Sequence, residues 1–233
     1  MNIFAKAGQT VRRFVAYDSP VSQTVLTVWG VFVTAVCAWL LLLPQLAFEL
    51  LVGWQSTHLA IWLGVASLVT VGPMLRGLMT ASMAILAEKG YPSHLARGFF
   101  SSIRNAPRAL WMLWALAFPV GLFVAYDVAL AAGSVVRMAP AIVLGVLLAL
   151  LLTAAGVLAQ DDRQGDRGLV GLVTASLMAI ARRIWLPLTW LFLLAVCLLL
   201  TRIPVIGSTI ALFVPALWGL GVALVNGMWR FGQ

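Results

Sequence analysis

Six stretches of the chain stay apolar for about the length a helix needs to cross the hydrocarbon core of a bilayer, roughly 20 residues. They cover residues 22–43, 59–86, 109–133, 139–159, 184–201 and 208–228. The second is overlong and interrupted by Gly72-Pro73, and the fifth is short and contains Pro187. The pattern predicts an all-α, polytopic transmembrane helical bundle of about six spans, with five as the alternative count.

Three segments between these runs carry apolar residues at helical spacing but do not suit a crossing. In "MNIFAKAGQTVRRFVAY", Ile3, Phe4, Ala7, Val11, Phe14 and Val15 form one stripe, with Lys6, Gln9, Arg12 and Arg13 largely off it. This predicts an interfacial amphipathic helix over residues 1–18, ahead of a single bundle domain over 19–233. "SHLARGFFSSIRNAPRA" repeats the theme, with Leu95, Phe99 and Ile103 on one stripe and Arg97, Arg104 and Arg108 on the polar side. Residues 169–183 predict a third such helix, interfacial or re-entrant, leading into the fifth span.

Composition agrees with a membrane protein. Hydrophobic residues make up 63% of the chain and charged residues 9%, against about a quarter charged in a soluble domain. The net charge of +8 lies in short loops rather than on one face, which argues against nucleic-acid binding and for topology. On one side fall Lys6, Arg12, Arg13, Lys89, Arg97, Arg104, Arg108, Arg163, Arg167, Arg182, Arg183 and Arg230, and on the other Arg137 and Arg202. The bias predicts both termini in the cytoplasm, with the basic segments against anionic inner-leaflet lipids. The run from Val21 to Leu43 is too long for the core of a signal peptide, and no small-residue cleavage site follows it.

The stretch "TVGPMLRGLMTAS" is the chain's most unusual. Pro73 suits a first helical turn, because the N–H it lacks would be unpaired there. Gly72-Pro73 therefore marks a break, and Arg76 adds a full charge to the positive end of the helix that follows. Two readings stand. Either Arg76 snorkels to inner-leaflet headgroups, or it faces the bundle interior and meets an anionic ligand or a carboxylate, since an intramembrane charge costs about 2.5 kcal/mol or more. Glu49 and Asp127, the acidic residues outside the cytoplasmic loops, both fall near the outer surface. Gly72, Pro73 and Arg76 are the candidate ligand or partner site. Arg97, Phe99, Phe100, Arg104, Asn105 and Arg108 are the candidate interface, together with small-residue faces such as 77–82.

Catalytic chemistry is not evident. His58 and His94 fall on opposite sides of the bilayer, and H-E-x-x-H, G-x-S-x-G and Walker A patterns are missing. Cys37 and Cys197 sit within apolar spans, where a thiol behaves as a small hydrophobe. Asp161, Asp162 and Asp166 in "QDDRQGDRG" lack the EF-hand pattern and read as a solvated turn. No metal, no cofactor and no enzymatic activity are expected. Most Trp residues fall towards span ends, as interfacial belts require, and are not read as a ligand cage. The echo between "GLMTAS" (77–82) and "GLVTAS" (171–176) reads as small-residue composition rather than a repeat.

"VTVGPMLRGLMTASMAIL", "LARGFFSSIRNAPRALWMLWAL", "AYDVAL" and the closing "PVIGSTIALFVPALWGLGVALVNGMWRF" resemble the YesL-like family of small bacterial membrane proteins. The matching positions are Thr70, Gly72, Pro73, Phe99, Phe100, Ser102, Asn105 and Asp127. The stretch "QLAFELLVGWQSTHLAIWLG" departs from the family pattern by its length. The resemblance implies a protein of the bacterial inner membrane, often encoded beside carbohydrate ABC-transporter components. The expectation is therefore a non-enzymatic accessory or interaction protein, with ABC-transporter permease subunits as its implied partners. The rival expectation is a small secondary transporter with its site at the broken second span.

Overall fold

The computed structural model describes residues 20–87, 94–131, 134–161, 168–204 and 207–231, all helix and short connections without a strand. The helices are α1 (Pro20–Leu51), α2 (His58–Ser67), α3 (Val71–Ala87), α4 (Leu95–Arg104), α5 (Arg108–Leu130), α6 (Val135–Asp161), α7 (Leu169–Arg182), α8 (Trp185–Leu200) and α9 (Gly207–Phe231). The all-α polytopic bundle expected from the sequence is the observed architecture. The helix predicted over 1–18 lies outside the described residues, as does most of the polar turn predicted over 160–168, whose first two residues, Gln160 and Asp161, instead end α6.

Among the described residues, five helical runs are long and apolar enough to cross a membrane: Val21–Leu51, His58–Ala87, Arg108–Leu130, Met138–Ala159 and Gly207–Gly227. The expected fifth span is different in kind. Helix α8 has 16 residues, about 24 Å at the rise of an α-helix, short of a core about 30 Å thick. It follows α7 with an 85° bend, so α7 lies across α8 at nearly a right angle. Counting the bent pair as one span gives six.

Helix ends follow local chemistry. Helix α1 stops at Gly53, whose φ of +67° is open to glycine at little cost. The Gly53 and Val52 N–H groups both donate to Phe48 O at 2.9 Å. Helix α2 starts at Thr57, whose side chain accepts from the Ala60 N–H, and α5 starts after Pro107. Prolines 44, 119, 140 and 215 sit inside helices, as membrane helices tolerate when neighbours satisfy the freed backbone groups. Three buried hydroxyls turn back on their own helices, while that of Ser82 has no partner among the described residues. Thr34 donates to Gly30 O at 2.9 Å, Thr153 to Ala149 O at 2.8 Å and Ser176 to Leu172 O at 2.8 Å.

Helix α3 is the axis of the bundle. Met74, Leu75, Leu78, Ala81 and Ile85 bury against Cys37 and Ala38 of α1, Leu95 and Phe99 of α4, Leu110, Leu113 and Trp114 of α5, and Leu152 and Ala155 of α6. Helix α9 packs against α3, α1 and α8, and Gly219 admits it closely, since a Cβ there would lie 3.0 Å from Ser82 Oγ. Outward-facing positions such as Leu50, Phe123, Leu130 and Phe192 stay largely exposed and apolar, the surface a lipid environment accepts.

Candidate functional site: a helix break beside an apolar cavity

The second span breaks three residues earlier than Gly72-Pro73. A 3₁₀ turn over Leu68–Thr70 separates α2 from α3, and Pro73 is the third residue of α3. The reason is the reach of the proline ring, which collides with the carbonyl four residues back, at Val69, and offers that carbonyl no N–H. The strain falls on the preceding turn, which tightens. Thr70 Oγ1 donates to Ser67 O at 3.3 Å. The Ser67 hydroxyl lies between Gln45 Oε1 at 2.5 Å and Gly64 O at 2.7 Å, tying the break to α1.

Each glycine of this span seats an aromatic ring from a different element. A Cβ on Gly64 would lie 2.6 Å from the Trp54 ring, on Gly72 2.4 Å from Trp114, and on Gly77 2.6 Å from Phe99. Close approach of this kind is what small residues provide in membrane bundles. It also places "GLMTAS" inside the chain, with Gly77, Leu78, Met79, Ala81 and Ser82 all buried, so this face is not available to a partner.

The question of Arg76 has a local answer. Its Nε donates to Ser102 O at 3.0 Å. Ser102 belongs to the last turn of α4, where carbonyls lack intrahelical partners and the helix dipole is negative. The guanidinium thus meets a backbone carbonyl rather than a carboxylate. Its Nη1 is buried without a partner. Glu49 is engaged elsewhere, accepting from Trp54 Nε1 at 2.8 Å and Gln45 Nε2 at 3.1 Å, and Asp127 is exposed. Phe99, with 1% exposure, fixes α4 to α3 beside this bond. Arg97, Phe100, Arg104, Asn105 and Arg108 are exposed, leaving a basic face with one outward aromatic ring.

The break also borders a cavity of about 700 Å³, within the roughly 300–1,000 Å³ of small-molecule sites. Leu68, Val69, Val71 and Gly72 form one wall; α5, α6, α8 and α9 supply the others. Pro73 and Arg76 are not in the lining, so of the three candidate site residues Gly72 alone reaches this space. Among the described lining residues none is charged. The polar groups are a hydroxyl, on Thr153, and the indoles of Trp54, Trp114, Trp190 and Trp218. Trp218 Nε1 donates to Trp190 O at 3.0 Å.

These tryptophans are what sequence reading missed. An interfacial belt accounts for rings at span ends, but Trp218 lies well inside α9 and Trp190 inside α8. That mid-helix placement was the available signal. His58 and His94 remain apart, His58 Nδ1 pairing with Tyr126 OH at 3.0 Å. Among the described residues no group of three or more His, Cys, Asp or Glu is placed to hold a metal ion, and both cysteines are buried and unpaired as disulfides.

Comparison with known proteins found no matching family, no similar curated protein and no similar solved structure. The likeness to the YesL-like family rests on the sequence motifs alone.

Proposed function

We propose that this chain is a non-enzymatic protein of the bacterial inner membrane, both termini cytoplasmic, that holds an apolar or amphipathic molecule in the cavity beside its broken second span. The cavity itself carries this reading: about 700 Å³ of uncharged, tryptophan-rich space at a helix discontinuity. Spans interrupted near the midplane are where membrane transporters place their sites, and irregular backbone at that depth is tolerated where it borders a cavity. Arg76 belongs to the scaffold in this reading, because its Nε–H is committed to α4. Photolabelling in native membranes with a diazirine-bearing fatty-acyl probe tests it. Adducts on lining residues such as Val71 or Trp114 are expected, whereas labelling confined to outward residues such as Phe123 and Leu130 would reduce the cavity to packing space.

A second reading, an accessory subunit of a carbohydrate ABC transporter, is supported by the exposed Arg97, Arg104 and Arg108 around the outward Phe100. These suit either anionic inner-leaflet lipids or an acidic partner surface. Mass spectrometry of chains co-purifying from the native host tests it: stoichiometric permease or ATPase subunits are expected, and recovery of this chain alone after cross-linking would end it.

A further inference from the structure

The groups that line the cavity also define what should enter it. Its described walls hold no Asp, Glu, Lys, Arg or His, so an ionised headgroup there would meet no counter-charge. Most of its polar groups with a defined bond are already engaged: Thr153 Oγ1 donates to Ala149 O, Trp218 Nε1 to Trp190 O and Trp54 Nε1 to Glu49. The N–H groups of Trp114 and Trp190 are not, and of the two only that of Trp190 is buried outright. Trp190 is 4% exposed, held between Met79, Leu150, Ala154 and Val222, and its Nε1 is buried with no acceptor. Buried indole N–H groups ordinarily find partners, because an unpaired donor in apolar surroundings is costly. An unmet donor beside an uncharged cavity marks where an incoming acceptor would be held.

We infer that the cavity selects an uncharged, lipid-like molecule whose carbonyl accepts a hydrogen bond from Trp190 Nε1. This rests on the cavity reading above and adds the class of ligand to it. The surrounding side chains cover Nε1, so its pairing accompanies a parting of the wall as the molecule enters. A hydrocarbon would fill the same volume without satisfying the indole, and a carboxylate would satisfy it only by bringing a buried charge.

The full-length protein in detergent, displacing a solvatochromic apolar dye, provides the test. Three competitors are compared: methyl palmitate, a saturated hydrocarbon of similar length, and palmitate at alkaline pH. The ester is expected to displace the dye at about threefold to tenfold lower concentration than the hydrocarbon, the worth of one neutral hydrogen bond. Trp190→Phe should abolish that advantage while leaving the hydrocarbon unchanged. Equal displacement by ester and hydrocarbon in the unmodified protein, an advantage that persists in Trp190→Phe, or tighter binding of palmitate would each overturn the inference. The first and third comparisons use the natural chain, so they stand even if the variant misfolds. Dye binding that ignores Ala149→Phe in the cavity wall would instead remove the cavity reading itself.

Discussion

The seat of Phe99 on Gly77 can be tested by a change of sign. An alanine Cβ at position 77 would lie 2.6 Å from the tip of the Phe99 ring, where ordinary contact begins at 3.4 Å. The ring would have to withdraw by about 0.8 Å, the difference of those two distances. Overpacking of this kind costs about 1–3 kcal/mol. Against it stands the gain from replacing glycine inside a helix, about 0.5–1 kcal/mol. Gly77→Ala should therefore destabilise the protein by about 1 kcal/mol on balance. Shortening the ring with Phe99→Leu removes the obstacle, and Gly77→Ala made in that background should stabilise by about 0.5–1 kcal/mol. The implied coupling, near 2 kcal/mol, lies within the range found for residues in contact. Reversible unfolding in mixed micelles, followed for the parent, both single variants and the double, measures all four corners. If Gly77→Ala stabilises the parent as much as it does the Phe99→Leu protein, α4 is not seated as described.

Other consequences follow from the same geometry. Arg76→Lys keeps the charge but has no donor at the Nε position, so the bond to Ser102 should be lost at about 1–2 kcal/mol, raising amide exchange across residues 95–104 by about 5–30-fold; unchanged exchange would show that this bond does not hold α4. Gly53→Val, at φ +67°, should cost about 1–2 kcal/mol in unfolding experiments, with Gly53→Asn milder, and a neutral valine would contradict the left-handed stop of α1. Gly72→Val should push Trp114 from its seat, lowering stability by about 1–3 kcal/mol and weakening dye binding together; loss of stability with full binding would separate the seat from the cavity.

What the sequence discloses here is set by which forces act locally. Hydrophobic length marks the spans because the bilayer demands it, and the amphipathic stripe of "SHLARGFFSSIR" marks α4 because one face must bury. Proline chemistry locates the break to within a few residues, and the offset to Leu68–Thr70 follows from where the ring collides. Partners across the fold are another matter. Nothing in the neighbourhood of Arg76 identifies a carbonyl 26 residues away as its acceptor, and charge-pair reasoning looks first to Glu49 and Asp127. Nor does a glycine announce which ring will rest on it. The tryptophan-lined cavity arises from six separate segments brought together, so only the mid-helix position of Trp190 and Trp218 hints at it. The length of α8 shows a further limit: its composition resembles that of a span, yet an 85° turn at Arg183–Ile184 sets it apart from α7, where the ring of Pro187 collides with the carbonyl four residues back.

The central claim is that the cavity holds a hydrophobic molecule, and native mass spectrometry of the gently extracted protein addresses it most directly. The spectrum should show one tightly retained, uncharged lipid-class adduct per chain, and filling the cavity from either of two walls, with Ala117→Phe or Ala149→Phe, should remove it while the folded protein persists. Natural protein that emerges free of any retained adduct, or an adduct that survives both substitutions in folded protein, would contradict the account.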